Sequence, residues 1–383
     1  GHNNTVVGTE ALKLNTTGAN NVAIGTKALC TATTSSNNVA MGRESLKLTT
    51  TGNNNTALGT DSLVANTTAD NNVAVGYRAL CGNTTAADNV AVGCGAMVAT
   101  TTGCRNVAMG SGTMDTNTTG DKNVAIGHTT LYAATTADCN TGVGYGALSA
   151  NTTGHSNAAV GGGSLTANTT ANYNTAVGVN ALAAQTTGIS NVSVGYYSLV
   201  ASTTGACNVA VGVQAGDSVT TGVENVFVGS FAGANVTTGD NNLLLGDNAG
   251  KDSVRNVTTG DHSIVIGNNS HATAHIKIDW TVTSDERDKM NFEPVPHGLD
   301  FVNQLKPVSF KFKKSRDENI PHGDTKYGFK AQDILALEGD NPIIISNEDE
   351  ENLKVTNSHM TPVLVKAIQE LTKRIEELEK ENN

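Results

Sequence analysis

Glycine recurs every 17 residues from Gly8 through Gly25 and Gly42 to Gly246, fifteen times without a slip, and a degenerate copy ends at Gly267 after a four-residue insertion. Each of the fifteen has Asn four places before it, from Asn4 to Asn242, and an aliphatic residue one place before it, such as Val7, Ile24, Leu58 or Met109. Paired threonines follow the first fourteen, from Thr16 and Thr17 to Thr237 and Thr238. A period this short and regular is that of a solenoid, each repeat one coil stacked on the last. Seventeen residues are too few for a helical hairpin. The alternation in the NVAVG stretch predicts one short strand, and the segment around Leu12, Leu29 and Leu46 predicts a second. Glycine supplies one corner and the TTG-Asn stretch the other. The expected core is a Val column and a Leu column with small neighbours. Fifteen coils at the inter-strand spacing give a rod on the order of 70 Å.

Stacked coils place identical side chains one above another, so the Asn columns are expected to form amide ladders and to serve as scaffold. Asn15, Asn66, Asn83, Asn117, Asn151 and Asn168 head Asn-x-Thr/Ser triplets, a glycosylation pattern that an Asn/Thr repeat produces by composition alone. A threonine array facing ice is disfavoured, because adjacent threonines on a strand point to opposite faces. From Gly212 the unit becomes V-G-x-x-A-G, with Gly216, Gly233 and Gly250 in place of the leucine. A narrower or differently wound section is expected there. So thin a coil is expected to need partners, and a three-fold bundle supplies them.

Charged residues are 15% of the chain and aromatics 4%, too few large side chains for ordinary globular domains over the repeats. A net charge of −11 argues against a general nucleic-acid-binding role. No run of 18 apolar residues occurs, so no membrane insertion is expected. Neither a signal peptide nor an initiating Met is visible, as expected of a fragment. The six cysteines show no CxxC or Cys/His spacing, so no metal and no cofactor are expected. They read as small residues at tolerant positions, with inter-chain disulfides the alternative.

From His271 the repeat vanishes and charge, Phe, Pro and the single Trp appear. Four regions follow: a repetitive β-solenoid rod (1–267), a linker strand (268–283, with His275–Thr283 alternating), a small α+β domain (284–361) and a coiled-coil helix (362–383). Ser284-Asp285-x-Arg287-x-Lys289 resembles the opening of the endosialidase-type intramolecular chaperones, a family of self-cleaving peptidases at the C-termini of phage tail fibres and spikes. The strand Leu305–Phe312, the run Tyr327–Asp333 and the segment Val355–Lys380 continue that resemblance in order. Lys330, the TNSHMT stretch at 356–361 and the charged loop 313–326 depart from the family pattern. The repeats themselves resemble the heads of trimeric autotransporter adhesins and, more closely, arrays in phage and large-virus fibres.

Serine becomes a nucleophile when a base takes its proton, and an uncharged lysine can be that base. A spacing of five is poor on a regular helix, so a turn must join Ser284 to Lys289. The resemblance implies that Ser284 attacks the Thr283 carbonyl with Lys289 as base, cutting between Thr283 and Ser284. Asp285 and Arg287 then orient or stabilise charge, and Gln332 supports either the site or the fold. His297, His322 and His359 read as surface residues, since no triad nucleophile motif accompanies them. Leu364, Ile368, Leu371, Ile375 and Leu378 fall at three- and four-residue steps, a coiled-coil seam or the face of a packed amphipathic helix. Isolated coils with Ile and Leu at the two seam positions favour two strands, whereas the resemblance implies a homotrimer.

These readings converge on a trimeric fibre or adhesin on a virion or extracellular surface, binding a host receptor or glycan and carrying a chaperone that cuts itself off. The alternatives are an uncleaved bacterial surface adhesin and a glycan-cleaving spike. Against the last, the repeats hold no recurring carboxylate pair.

Overall fold

The computed structural model describes all residues except 252–255, 269, 272–276, 278–283, 314–318, 348–349, 351–352 and 383. Two compact units divide it, one of residues 1–252 and 256–268, the other essentially the chain from 269 onward. The strand expected over His275–Thr283 falls, apart from Lys277, outside the described residues.

The first unit is a β-solenoid. Sixteen three-residue strands, β1 (Thr5–Val7) to β16 (Ile264–Ile266), form one parallel sheet in sequence order. Each strand pairs with the next in a register of one repeat, as in Val73 opposite Val90. Across the insertion the sheet keeps its order, with Leu243 opposite Ile264.

The leucine segment forms no second strand. Leu12, Leu29, Leu46 and their successors take positive φ near 50°, a backbone region that bulky L-residues rarely adopt. Their side chains are nonetheless fully buried in most coils. Each N–H donates to the next coil, as Leu29 does to the Ser45 carbonyl at 3.0 Å. Burial and the inter-coil bond together outweigh the conformational penalty, which is on the order of 1–2 kcal/mol per residue.

The strand faces the opposite way from the expected one. Its middle residue, usually Ala, is buried, while the flanking Val, Ile and Met columns lie outward. The core is thus alanine against leucine. In a three-residue strand the alternation is the same whichever face is inside, and only the small residue fits so close to the turn segment opposite. Val7, Met41, Met109, Ile126, Val160, Val177, Val211 and Val228 are all substantially exposed.

From Gly212 to Gly246 the solenoid keeps its 17-residue register, and its interior is filled from a different position. Phe227 and Leu244 replace alanine in the middle of β14 (Val226–Val228) and β15 (Leu243–Leu245) and are fully buried. A Cβ on Gly216 would lie 2.7 Å from the Phe227 ring, and one on Gly250 equally close to Leu244. The bulk has moved from one wall of the coil to the other.

The Asn ladder runs the length of the rod. Asn123 illustrates it: its backbone N–H donates to Asn106 Oδ1 at 2.9 Å, and its amide donates to Asn106 Oδ1 and to the Ala137 carbonyl at 2.7 Å. The corner glycine is enforced sterically, since Gly127 has φ 133° and a Cβ there would meet the Gly144 carbonyl at 2.6 Å. Asn66, Asn83, Asn117, Asn151 and Asn168 are completely buried, so in the folded coil those triplets offer no accessible glycosylation site.

In the second unit α1 (Leu299–Val302), α2 (Ala331–Glu338) and α3 (Asn357–Glu381) accompany two hairpin pairs, β17 (Val308–Lys313) with β18 (Pro321–Gly328) and β19 (Ile345–Ser346) with β20 (Lys354–Val355). Phe301, Ile334, Ile344, Ile345, Met360 and Val363 form its small core. Glu338 ties the 343–345 backbone to α2 by accepting N–H bonds from Ile343, Ile344 and Ile345 at 2.8–3.0 Å.

Candidate active site

Asp285 shapes the turn at the head of the second unit. Its carboxylate caps the short 3₁₀ turn Glu286–Asp288 by accepting the Arg287 N–H at 2.9 Å. It also takes the Arg287 guanidinium in a two-pronged bond at 3.0 and 2.6 Å. That guanidinium, with the backbone N–H, holds the Asp285 carboxyl below the usual carboxylate range. The turn folds the chain back, so that Lys289 Nζ donates to Ser284 Oγ at 2.6 Å. A five-residue separation that a helix would splay apart is closed by this turn.

Ser284 to Phe292 is exposed throughout. Met290 and Phe292, directly after the pair, are 81% and 65% exposed. The segment beyond them is fastened to α3: Lys366 Nζ donates to the Val295 carbonyl at 2.6 Å, and Glu370 accepts the Leu299 N–H. Nothing in the sequence marks Lys366 or Glu370 for these roles, since both partners lie about seventy residues away.

Gln332 is exposed on α2, and among the described residues no hydrogen bond joins it to Ser284 or Lys289. Thr283 lies outside the described residues. His297 stacks on Phe301 with ring centroids 4.2 Å apart, and His359 Nδ1 lies 2.8 Å from the Ile343 carbonyl. His322 is half-buried on β18. On α3 the proposed seam residues Leu364, Ile368, Leu371, Ile375 and Leu378 are 42–63% exposed, while Met360, Val363 and Ala367 pack inward. Among the described residues no helix is long and apolar enough to cross a membrane. All six cysteines are free of one another.

The fold therefore defines a repeat β-solenoid followed by a small α+β domain that ends in a helix. Residues 284–340 match the model of the family Peptidase_S74, described as the chaperone of endosialidase. The match opens at Ser284 and closes before α3, a shorter span than the 284–380 over which the sequence motifs run. No curated protein matches the chain.

Proposed function

We propose that the chain is a homotrimeric fibre or adhesin, of virion or extracellular-surface type, whose C-terminal domain registers three chains and then severs itself between Thr283 and Ser284. The observation that carries the cleavage reading is the 2.6 Å contact between Lys289 Nζ and Ser284 Oγ at the head of the family match.

In its uncharged form Lys289 takes the Ser284 hydroxyl proton while Oγ attacks the Thr283 carbonyl carbon. The Thr283–Ser284 C–N bond breaks, the Ser284 nitrogen leaves carrying a proton, and Thr283 is held as an ester on Oγ. Water then hydrolyses the ester, giving 1–283 with a new carboxylate and 284–383 with a free amino terminus. Asp285 holds Arg287 in a two-pronged ion pair and so keeps the turn that brings Lys289 to Ser284.

Burial favours the uncharged form of any amine, and in one chain the segment is open to water. Further copies packed over Met290 and Phe292 would exclude that water, which makes cleavage conditional on assembly. Two more unpartnered apolar surfaces support assembly. The α3 seam is exposed along its length, and the outward Val/Ile/Met columns run from end to end of the sheet. A contiguous apolar face of that length marks an interaction surface. A second copy of the chain matches its repeat by construction. Cleavage after assembly removes the registering domain and makes unfolding difficult to reverse.

The reading is tested by native mass spectrometry of the expressed chain. Three copies of 1–283 together are the expected product; a monomeric or uncut chain under assembling conditions contradicts it.

A further inference from the structure

We propose that a slot beside Tyr145, halfway along the rod, binds one neutral pyranose ring of a surface glycan. The residue after each corner glycine forms a column along the rod, and in coils eight to twelve it reads His128, Tyr145, Gly162, Val179, Tyr196. His128 stacks on one face of Tyr145, with ring centroids 5.6 Å apart and planes 7° from parallel. On the other face stands Gly162, the only glycine in the column. Tyr145 is consequently 70% exposed and Val179, two coils on, 47%. Two coil rises separate Tyr145 from Val179, about 10 Å, room for one ring in van der Waals contact with each wall.

The fold does not ask for glycine at 162. Its φ lies outside the positive region, and a Cβ there would approach nothing nearer than the Tyr145 carbonyl at 3.9 Å. The floor is widened by Gly146, where a Cβ would meet nothing within 4 Å. The Asn180 amide overhangs Gly163 and makes no hydrogen bond to another described residue. Such a slot offers an aromatic face, an open floor and a free amide. The negative face of Tyr145 attracts the C–H groups of a sugar ring, and Asn180 can meet its hydroxyls.

Charge selects among ligands. In the first five coils this column and the next carry Glu10, Lys27, Arg43, Glu44, Asp61 and Arg78, whereas from His128 to Tyr197 they carry no Asp, Glu, Lys or Arg. A sialylated or phosphorylated sugar would find no Lys or Arg in either column from His128 to Tyr197.

The proposal rests on the adhesin reading for its setting, but binding does not require self-cleavage, so a gel on the same sample separates the two failures. Saturation-transfer NMR on the full chain with the methyl β-glycosides of glucose, galactose and N-acetylglucosamine tests it, with sialyllactose as the charged probe. Transfer to at least one neutral glycoside is expected. It should fall by about tenfold in both Tyr145→Ala and Gly162→Leu, matching the loss of one stacking contact, and persist in Tyr77→Ala. No transfer to any neutral glycoside, transfer to sialyllactose alone, or equal signals in all variants would overturn the slot.

Discussion

Glu370, on the long C-terminal helix, accepts the backbone N–H of Leu299 at 2.7 Å and so caps the short helix α1 from 71 residues away. One turn earlier on the same helix, Lys366 holds the Val295 carbonyl. The strand of chain that leads back to Ser284 is thus anchored to the helix whose opposite face, Leu364 to Leu378, is bare. Whatever orders that helix also orders the approach to the serine.

Replacing seam residues should therefore impair both assembly and cutting. Ile368→Asp with Ile375→Asp is expected to leave a monomer by light scattering and to abolish cleavage on a gel, with the circular dichroism of the rod retained. Retained cleavage in the monomer would separate the site from assembly.

Attack by Ser284 on the preceding carbonyl leaves an ester, and hydroxylamine intercepts esters. Adding it should accelerate chain scission and leave a hydroxamate at the end of 1–283, read by intact mass. A scission rate indifferent to hydroxylamine would argue for direct attack by water.

The Asp285–Arg287 pair sets a pH dependence. The folded pKa of Asp285 is depressed, so the turn is intact above the ordinary carboxylate range and is lost as pH falls through the depressed value. Arg287→Gln should move the Asp285 carboxyl titration upward, followed by carbon NMR. No movement would show that the guanidinium is not the main cause.

Within the rod, Asn123→Ala strips partners from the Ala137 carbonyl and the Asn140 N–H, both buried. An expected loss of about 3 kcal/mol is measurable by denaturant unfolding of the coils around it. A loss near zero would mean that the ladder is ornament to the coil packing.

Phe227→Ala should cost about 4 kcal/mol, because its ring fills the space over Gly216 and Gly233. Adding Gly216→Leu and Gly233→Leu restores the alanine–leucine arrangement of the upstream coils, where Leu199 has φ 48° against 61° at Gly216. Most of the stability should return. A triple variant no better than Phe227→Ala would contradict the exchange of bulk.

The period, the Asn ladder and the corner glycine were legible in the sequence, because stacking forces each column into one environment. Which face of the strand turns inward was not, since Val-Ala-Val alternates identically either way and only the narrowness of the coil decides. The leucine segment reads as a strand because leucine avoids positive φ, and only its burial and inter-coil bond reverse that preference. Phe227 escapes notice as a replacement for Leu, because the two positions differ in phase within the repeat. At the candidate site, the closeness of Ser284 and Lys289 was legible through their motif, and the need for a turn through their spacing. The contributions of Glu370 and Lys366 were not, as tertiary contacts across seventy residues leave no local pattern.

The most direct test of the account is the intact mass of the wild-type chain beside Ser284→Ala and Lys289→Ala, each under assembling conditions. The account predicts a wild-type break between Thr283 and Ser284 and uncut chains in both variants. A full-length wild type, or a break that survives either substitution, would contradict it.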